Sequence, residues 1–368
     1  MLNDTVNQIG PLDKAAMQAA EKHQNSLAIP LRSLGRLHEF GIRMAGITGN
    51  PRPTVAAMGV ITMAGDHGVV AQGVSKFPQE VTREMIANFC RGGAAINVLS
   101  RQYGIRLTVV DVGVAGPMPD MAISIDNTAA DQPAVRFARC RVADGTDDFS
   151  VGPAMTRDQA RQALEVGIRI FREEKAKGMD AVGTGDMGIG NTTPSSVIAA
   201  CLLNRQPGEV VNRGTGIDDE ALKNKIDVVA RALAVNQPDP DDPLDVLSKI
   251  GGYEIGGIAG VILAACAART PVVIDGFIST AAALLASRFN PNVKDYMFAG
   301  HQSAVEGHRL MLDDLGLSPM VDLGLRLGEG TGAVFGLSIL SASSAVAREM
   351  LTFEEAAVSE PDEEETSS

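Results

Sequence analysis

A glycine-rich stretch, 183-GTGDMGIGNTTPSS-196, combines residue types that are typical of a ligand site. Its letters fit G-x-G-x-x-G, which indicates a dinucleotide site only when a helix opens directly after it in a first βαβ unit. Here Thr193 is a good N-cap and Pro194 suits the first helical position, so we predict a later helix start. The N–H groups at such a start favour an anion by about 0.3 to 1 kcal/mol. Two interpretations stay open: a phosphate held by residues 190–193, or a plain helix cap.

Glu329 lies between two glycines in 325-LRLGEGTGA-333. A carboxylate that no neighbouring side chain shields can reach a ligand, and it can act as a general base when desolvation raises its pKa. The alternative is a turn residue at the surface, although a turn of this type more often carries Asn or Asp.

Asp66 and His67 follow an apolar run in 64-AGDHGVVAQGVSKFPQEVT-82. They form either an acid and base pair or a pair that organises its loop by hydrogen bonds. Residues adjacent in sequence rarely face one another, so we favour the loop-organising role. Phe77 and Pro78 are predicted to form one wall of an apolar pocket.

The charge balance excludes several function classes. With 32 Lys and Arg against 45 Asp and Glu, the net charge is -13, which disfavours non-specific binding to nucleic acid or to an anionic membrane. No run of eighteen apolar residues occurs, and the first residues lack the basic and apolar blocks of a signal peptide. We predict a cytoplasmic protein without nucleic acid or membrane as a partner.

The cysteines and histidines show no spacing that is typical of metal ligation. There is no C-x-x-C pair and no H-E-x-x-H motif. We predict no metal and no cofactor, and we predict buried free thiols at all four cysteines, Cys90, Cys140, Cys201 and Cys266.

Six short apolar runs end in glycine or small polar residues and alternate with helical segments. The runs cover residues 55–68, 105–114, 180–188, 270–279, 295–303 and 321–330. Predicted helices between them cover residues 80–103, broken at Gly92 and Gly93, 156–178 and 218–236. Continuous apolar runs indicate strands covered on both faces, so we predict an α/β fold with a doubly wound, mainly parallel sheet of Rossmann-like type.

Polar residues follow these runs, and in a parallel sheet they gather at the edge where ligands bind. We therefore predict one shared site formed by Asp66, His67, Asp186, Asn191, Thr192, Thr193, Asp275, His301 and Glu329.

Eight segments, in the same order along the chain, resemble the nicotinate-nucleotide:5,6-dimethylbenzimidazole phosphoribosyltransferase (CobT) family, which makes the lower-ligand nucleotide of cobalamin. They are 30-PLRSLGRLHEF-40, AGDHGVVAQGVS, 92-GGAAINVLSR-101, 183-GTGDMGIGNTTPSS-196, 226-IDVVARALAVNQPDPDDPLDVLSKIGG-252, 273-VIDGFIS-279, 300-GHQSAVEGH-308 and RLGEGTGA. The resemblance covers nearly the whole chain, and the set is far more specific than any one segment.

The resemblance implies a homodimer and a small helical domain built from both chain ends. We place the large α/β catalytic domain at residues 33–312 and the helical domain at 1–32 and 313–356. Residues 357–368 have the composition of a disordered acidic tail.

The resemblance also implies an inverting pentosyl transfer. A ring nitrogen of 5,6-dimethylbenzimidazole attacks C1′ of nicotinate mononucleotide, nicotinate leaves, and α-ribazole 5′-phosphate forms. No metal is needed, since the leaving group departs from a quaternised ring nitrogen through an oxocarbenium-like transition state.

Site residues follow from the matching segments. Glu329 matches the glutamate that takes the proton of the acceptor, and Asp186 is placed with it as a catalytic carboxylate. The expected substrate-binding residues are Phe77, Met85, Gly188, Gly190, Asn191, Thr192, Thr193, Lys225, Ser303 and Leu327, with the ribose phosphate held by residues 188–193 and contacted further by Lys225 and Ser303.

Two departures from the family pattern concern the pocket. The family usually has Glu at the position of Asp186, so the carboxylate here reaches one methylene less far. Phe77 and Met85 match acceptor-pocket positions that are often smaller or polar. An alternative acceptor, such as benzimidazole, adenine or a phenol, therefore stays open.

Two other classes remain as alternatives. A non-catalytic nucleotide-binding protein on the same fold would not need a base at Glu329. A dehydrogenase would need a dinucleotide fingerprint in the first βαβ unit, where this chain has AGDHG.

Overall fold

The computed structural model describes residues 1–118, 135–214, 216–305 and 307–359. Its strands are β1 (Met58–Gly65), β2 (Arg106–Gly113), β3 (Val135–Arg139), β4 (Ala181–Met187), β5 (Val272–Ile274) and β6 (Met297–Ala299). Its helices are α1 (Leu2–Asn7), α2 (Lys14–Asn25), α3 (Arg36–Thr48), α4 (Glu80–Arg91), α5 (Ala95–Gln102), α6 (Arg157–Ala176), α7 (Thr192–Leu203), α8 (Pro207–Val210), α9 (Asp219–Asn236), α10 (Pro243–Ile250), α11 (Tyr253–Ala267), α12 (Phe277–Phe289), α13 (Val293–Tyr296), α14 (His308–Leu315), α15 (Thr331–Glu349) and α16 (Phe353–Ala356).

The six strands form one parallel sheet in the order β3-β2-β1-β4-β5-β6. This order reverses direction between β1 and β4, which is the topological switch point of a doubly wound fold. The predicted α/β fold with a parallel sheet is thereby confirmed. The predicted helix break at Gly92 and Gly93 is also confirmed, because α4 ends at Arg91 and α5 begins at Ala95.

One predicted strand is wrong. Residues 321–330 form no strand apart from an isolated bridge between Val321 and His301. Two leucines of this run lie at the protein surface rather than in the core, since Leu323 and Leu327 are each 58% exposed. The sixth strand is instead β3, whose sequence VRFAR has no continuous apolar run because it pairs on one side only, at the sheet edge.

Helix α11 packs against the sheet and α6 packs against α11, and glycines allow the two helices to approach closely. A Cβ atom on Gly167 of α6 would lie 1.9 Å from the Gly257 carbonyl oxygen of α11, and one on Gly260 would lie 2.0 Å from the Leu164 carbonyl oxygen. The whole of Tyr253–Cys266 is buried. Close backbone packing, rather than ligand contact, therefore explains the glycines of α11.

Contacts between Cα atoms divide the chain into two compact units. One contains Met1–Gly10 and Ala57–Leu337, including the whole sheet, and the other contains Pro11–Ala56 with the chain from Ser338 onward. Within the second unit the two chain ends pair, since Leu27 forms a bridge with Thr352 and the Ala28 N–H donates to the Leu351 carbonyl. The predicted domain boundaries at 32/33 and 312/313 stay a prediction, and the compact units divide at other residues. Of the predicted acidic tail, residues 360–368 lie outside the described residues.

Among the described residues, no helix has both the length and the apolar content that crossing a membrane requires.

Candidate active site

The carboxyl ends of β4, β5 and β6 border a cavity of about 310 Å³. Nine predicted site residues line it, namely Phe77, Met85, Asp186, Gly188, Asn191, Thr192, Ser303, Leu327 and Glu329, and His301 joins them. Gly190, Thr193 and Lys225 do not line it. Of the nine residues predicted to share one site, Asp186, Asn191, Thr192, His301 and Glu329 line this cavity, whereas Asp66, His67, Thr193 and Asp275 do not.

Sequence reasoning missed several lining residues, which are Val81, Met187, Gly214, Gly276, Phe277, Ile278, Val305, Arg326 and Gly328, while Ile189 lies within the predicted phosphate loop. Most of them are small or apolar and resemble core residues in sequence. Met187, Gly276, Phe277 and Ile278 lie at or just after strand ends, and this position is a pattern that could have pointed to them.

Glu329 occupies a strained backbone conformation at the start of α15. Its φ of 64° lies in the left-handed region, and the flanking Gly328 and Gly330 have φ of 84° and 101°. A left-handed conformation costs a residue with a Cβ about 1 to 2 kcal/mol, and such strain is concentrated at functional sites. The surface-turn alternative is therefore wrong, since Glu329 is only 5% exposed and faces a cavity.

The Glu329 carboxylate has the environment of a general base. Burial raises its pKa, the N–H of Ile96 lowers it, and the charge of Asp275 raises it further. The Ile96 N–H, in the first turn of α5, donates to Oε2 over 3.2 Å. A carboxylate of raised pKa is a better proton acceptor than an exposed one, and it remains ionised above that pKa.

The backbone of Glu329 is pressed against the sheet. The Thr62 hydroxyl of β1 donates to the Glu329 carbonyl over 2.8 Å. A Cβ atom on Gly185 of β4 would lie 2.3 Å from the same carbonyl oxygen. Gly185 is thus required for the position of Glu329, not for a dinucleotide fingerprint.

We expect Gly185→Ala to lower kcat about 10- to 100-fold, because its methyl group displaces the Glu329 backbone and a shift of about 1 Å near reacting atoms costs up to about 10²-fold. Turnover measured with the substrates proposed below checks this. Gly208→Ala is the matched control, since a Cβ atom on Gly208 meets nothing within 4 Å. Equal turnover in the two variants would contradict the prediction.

Asp186 lies at the end of β4 beside Gly328. The Asn191 amide donates to its Oδ2 over 2.9 Å, whereas Oδ1 is buried without a hydrogen-bond partner. Burial, together with the nearby charge of Asp275, raises its pKa well above the usual range. A buried polar atom without a partner at a cavity wall is available to a ligand.

The loop after β4 differs from its prediction in one respect. Helix α7 begins at Thr192 with Asn191 as its N-cap, so Thr193 lies inside the helix and is not the cap. A backbone turn at Gly190, whose φ is 87°, brings the chain into the helix two residues earlier than predicted. Asn191 and Thr192 therefore face the cavity, whereas Thr193 is buried.

Lys225 is a fully buried cation behind the polar part of the cavity lining. Its Nζ donates to the Thr192 hydroxyl over 2.7 Å and to the Asn212 carbonyl over 3.2 Å. Both acceptors are neutral, and burial lowers the Lys225 pKa to about 7. A buried ammonium whose neighbours are neutral favours an anion close by, and Thr192 connects it to the cavity.

Asp66 and His67 organise the structure below the glycine-rich loop, as favoured from the sequence. His67 Nε2 lies 2.9 Å from Oε1 of the buried Glu254, and the Ala115 N–H donates to Asp66 Oδ2 over 2.9 Å. Burial lowers the His67 pKa, but the charge and hydrogen bond of Glu254 and the charge of Asp66 together outweigh burial, so the net direction is upward. Neither side chain lines the cavity.

Ser303 is fixed by a neutral histidine. The Ser303 N–H donates to His308 Nδ1 over 3.0 Å, and His308 Nε2 lies 2.9 Å from the Thr280 hydroxyl. Burial and the nearby His301 lower the His308 pKa to about 3, so this ring is neutral and Nδ1 accepts. His308 therefore serves structure rather than proton transfer.

Across the described ranges, no group of three or more His, Cys, Asp or Glu residues is arranged to hold a metal ion. The thiols of Cys90 and Cys266 are buried and free, while those of Cys140 and Cys201 are free but partly exposed, which corrects the prediction for these two.

The chain is similar to known phosphoribosyltransferases over nearly its full length. A family model described as phosphoribosyltransferase (DBI_PRT) matches residues 9–358. The nicotinate-nucleotide--dimethylbenzimidazole phosphoribosyltransferase of Chloroflexus aggregans is 52% identical over 363 residues, which is 99% of each chain. The protein of the same name from Geobacter sulfurreducens is 51% identical and covers 98% of this chain and 99% of its own. The crystal structure of CobT from Thermus thermophilus superposes with a TM-score of 0.87 at 43% identity, covering 94% of this chain and all of its own.

Proposed function

Because the chain belongs to the phosphoribosyltransferase family whose model matches residues 9–358, we propose that it transfers the phosphoribosyl group of nicotinate mononucleotide to 5,6-dimethylbenzimidazole. The products are α-ribazole 5′-phosphate and nicotinate, and the reaction builds the nucleotide loop of cobalamin. Relatives about 50% identical over the full chain carry the name of this activity.

One observation carries the proposal: a buried base and a buried cation serve the same cavity. Glu329 lines it directly, and Lys225 reaches it through Thr192. A phosphoribosyl transfer to an azole requires these two groups, one to take a proton and one to hold the phosphate. A binder without activity would not need the strained Glu329.

In the proposed reaction, one ring nitrogen of the acceptor forms a bond to C1′ of the ribose on the face opposite nicotinate. The bond between C1′ and the nicotinate nitrogen breaks, and its electron pair neutralises the pyridinium. Glu329 takes the N–H proton from the other acceptor nitrogen. The configuration at C1′ is inverted, and no metal or cofactor takes part in the balance.

The lining residues are of two kinds, which suits the two substrates. Phe77, Val81, Met85, Met187 and Leu327 are apolar and suit a flat aromatic acceptor. Asn191, Thr192, Gly214 and Ser303 are polar or small and suit the ribose phosphate, with Lys225 behind Thr192.

We also propose that Asp186 contacts the substrate beside Glu329, through the oxygen that has no partner in the protein. Gly188 lies at the same cavity wall and keeps the backbone open. Gly190 and Thr193 support the loop instead of touching the ligand.

Incubating the purified chain with nicotinate mononucleotide and 5,6-dimethylbenzimidazole, and identifying the products by mass, tests the proposal. We expect a ribotide of the acceptor and one nicotinate per ribotide. Absence of any ribotide would refute the activity. Equimolar mixtures with benzimidazole, adenine and p-cresol would then rank the acceptors, and preferential conversion of one of these three would replace the proposed acceptor.

The proposed enzyme is a homodimer, as the family resemblance implies, and it is cytoplasmic, as predicted from the sequence. A cytoplasmic location also suits a substrate whose charged phosphate does not cross a membrane unaided. Light scattering after size-exclusion chromatography tests the assembly, and a mass of one chain would contradict the dimer.

A further inference from the structure

Asp275, directly after β5, is fully buried and does not line the cavity, yet it holds the loop that carries Glu329. Its Oδ2 accepts the Gly330 N–H over 3.0 Å. Its Oδ1 accepts the N–H groups of Gly332 and Ala333 over 2.6 and 3.2 Å. One carboxylate therefore satisfies three of the N–H groups at the start of α15.

This arrangement matters for the strained segment in front of α15. Three consecutive residues, 328–330, have positive φ, and such a conformation persists only when its surroundings fix it. Gly330 directly follows Glu329 in the chain, so the bond from its N–H to Asp275 fixes the backbone at the point where Glu329 leads into α15. Without it, residues 328–330 are free to relax towards a less strained form.

The same bonds determine which carboxylate, Asp275 or Glu329, accepts the N–H groups at the start of α15. The exposed N–H groups at a helix start stabilise a nearby carboxylate and make it a weaker base. Here those N–H groups are occupied by Asp275, and the Glu329 carboxylate bonds to Ile96 of α5 instead. Asp275 also adds a negative charge beside Glu329, which raises the pKa of Glu329.

We propose that Asp275 is the positioning residue of the transfer: it fixes the Glu329 loop and keeps the α15 N-terminus from neutralising the base. It acts through Glu329 and does not touch the substrate. The inference rests on the proposed function, and it assigns a role to the VIDGFIS segment that the proposed function leaves without one.

Other ionisable groups near Glu329 are Asp186 at the end of β4, His301 after β6 and Arg326 in the cavity lining. His301 Nε2 lies 3.6 Å from Asp275 Oδ1. A pH profile therefore reports on Glu329 only when variants that share these neighbours are compared.

The test compares Asp275→Asn with Thr331→Val between pH 5 and 9. Thr331 donates from its hydroxyl to the Gly328 carbonyl over 2.9 Å, so Thr331→Val removes a neutral bond in the same loop. We expect Asp275→Asn to lower kcat about 10- to 100-fold and to move the acid limb of kcat/KM to lower pH, because Glu329 loses a negative neighbour. We expect Thr331→Val to lower kcat less and to leave the limb in place. The phosphate and the acceptor titrate in the same way with wild type and with both variants, so a difference between their profiles comes from the protein.

An unmoved acid limb of kcat/KM in a folded Asp275→Asn variant would overturn the role of Asp275. If wild type is active in the same assay, the proposed function still stands. Inactive wild type at every pH would instead refute the function. Asp275→Ser keeps a small acceptor without a charge and supplies the same profile when Asp275→Asn does not fold. Circular dichroism shows whether each variant folds. If neither variant folds, Asp275 is a residue that stabilises the whole compact unit around the sheet, and this result would also overturn the proposal.

Discussion

Glu329→Gln is expected to lower kcat for ribotide formation by about 10²- to 10⁴-fold, the usual contribution of a general base. The amide has nearly the same shape as the carboxylate, and its oxygen can still accept the Ile96 N–H. It cannot take the proton of the acceptor. Binding of nicotinate mononucleotide is expected to remain within a few-fold of wild type, because the phosphate contacts are unchanged.

Steady-state kinetics and calorimetric binding of the nucleotide check this prediction together. Glu220→Gln is the matched control, since Glu220 is exposed in the first turn of α9 and does not line the cavity. Full turnover is expected there. A Glu329→Gln enzyme that keeps most of its turnover would remove Glu329 from the role of base, even if ribotide is formed.

Lys225→Met is expected to lower kcat/KM for nicotinate mononucleotide roughly 10²- to 10³-fold. In the complex the Lys225 ammonium and the bound phosphate would form a buried charge pair. Removing one partner of such a pair costs about 3 to 5 kcal/mol, and methionine has a similar shape without the ammonium. Lys223→Met changes an exposed lysine on the same helix and is the matched control. Equal effects of the two substitutions would contradict a phosphate contact for Lys225.

The same substitution is expected to stabilise the empty protein at pH 7. The Lys225 pKa of about 7 in the fold lies below its ordinary value, so between these two pH values the unfolded chain binds more protons. The free energy of unfolding of wild type should therefore rise as the pH increases from about 7 to about 10.4. Chemical denaturation should give Lys225→Met a higher free energy of unfolding than wild type at pH 7. The rise of this free energy with pH should be smaller for Lys225→Met than for wild type.

A bound phosphate should raise the Lys225 pKa again, because it places a negative charge beside the ammonium. Binding of the nucleotide at pH 8 should then take up a proton, and binding at pH 6 should take up less. Calorimetry in two buffers with different heats of ionisation measures this difference. No proton uptake at pH 8 in wild type would show that Lys225 does not meet the phosphate.

The sequence was sufficient for the parallel arrangement, for five of the six described strands and for the sheet edge at which the cavity lies, because continuous apolar runs followed by polar residues indicate parallel strands whose ends meet. Glu329 was identified by its two flanking glycines. The edge strand β3 was not, since VRFAR is charged and pairs on one side only. The leucine-rich run at 321–330 was mistaken for a strand because surface leucines and core leucines look alike in sequence.

The role of Asp275 could not be predicted from local patterns. Its three N–H donors lie 55 to 58 residues away along the chain. Only the fold brings β5 and the start of α15 together. The same holds for Lys225, whose acceptors on Thr192 and Asn212 belong to other segments.

The two kinds of cavity lining have a consequence for how this enzyme can change over time. The base is fixed by β1, β4 and the residue after β5, through Thr62, Gly185 and Asp275. Phe77, Val81 and Met85 belong instead to α4 and the loop before it. These three residues of the apolar wall thus lie in a different part of the chain from the groups that fix the base, whereas Met187 and Leu327 lie next to the proposed catalytic residues. Substitutions at residues 77–85 can therefore alter which aromatic base is accepted while the catalytic groups stay where they are.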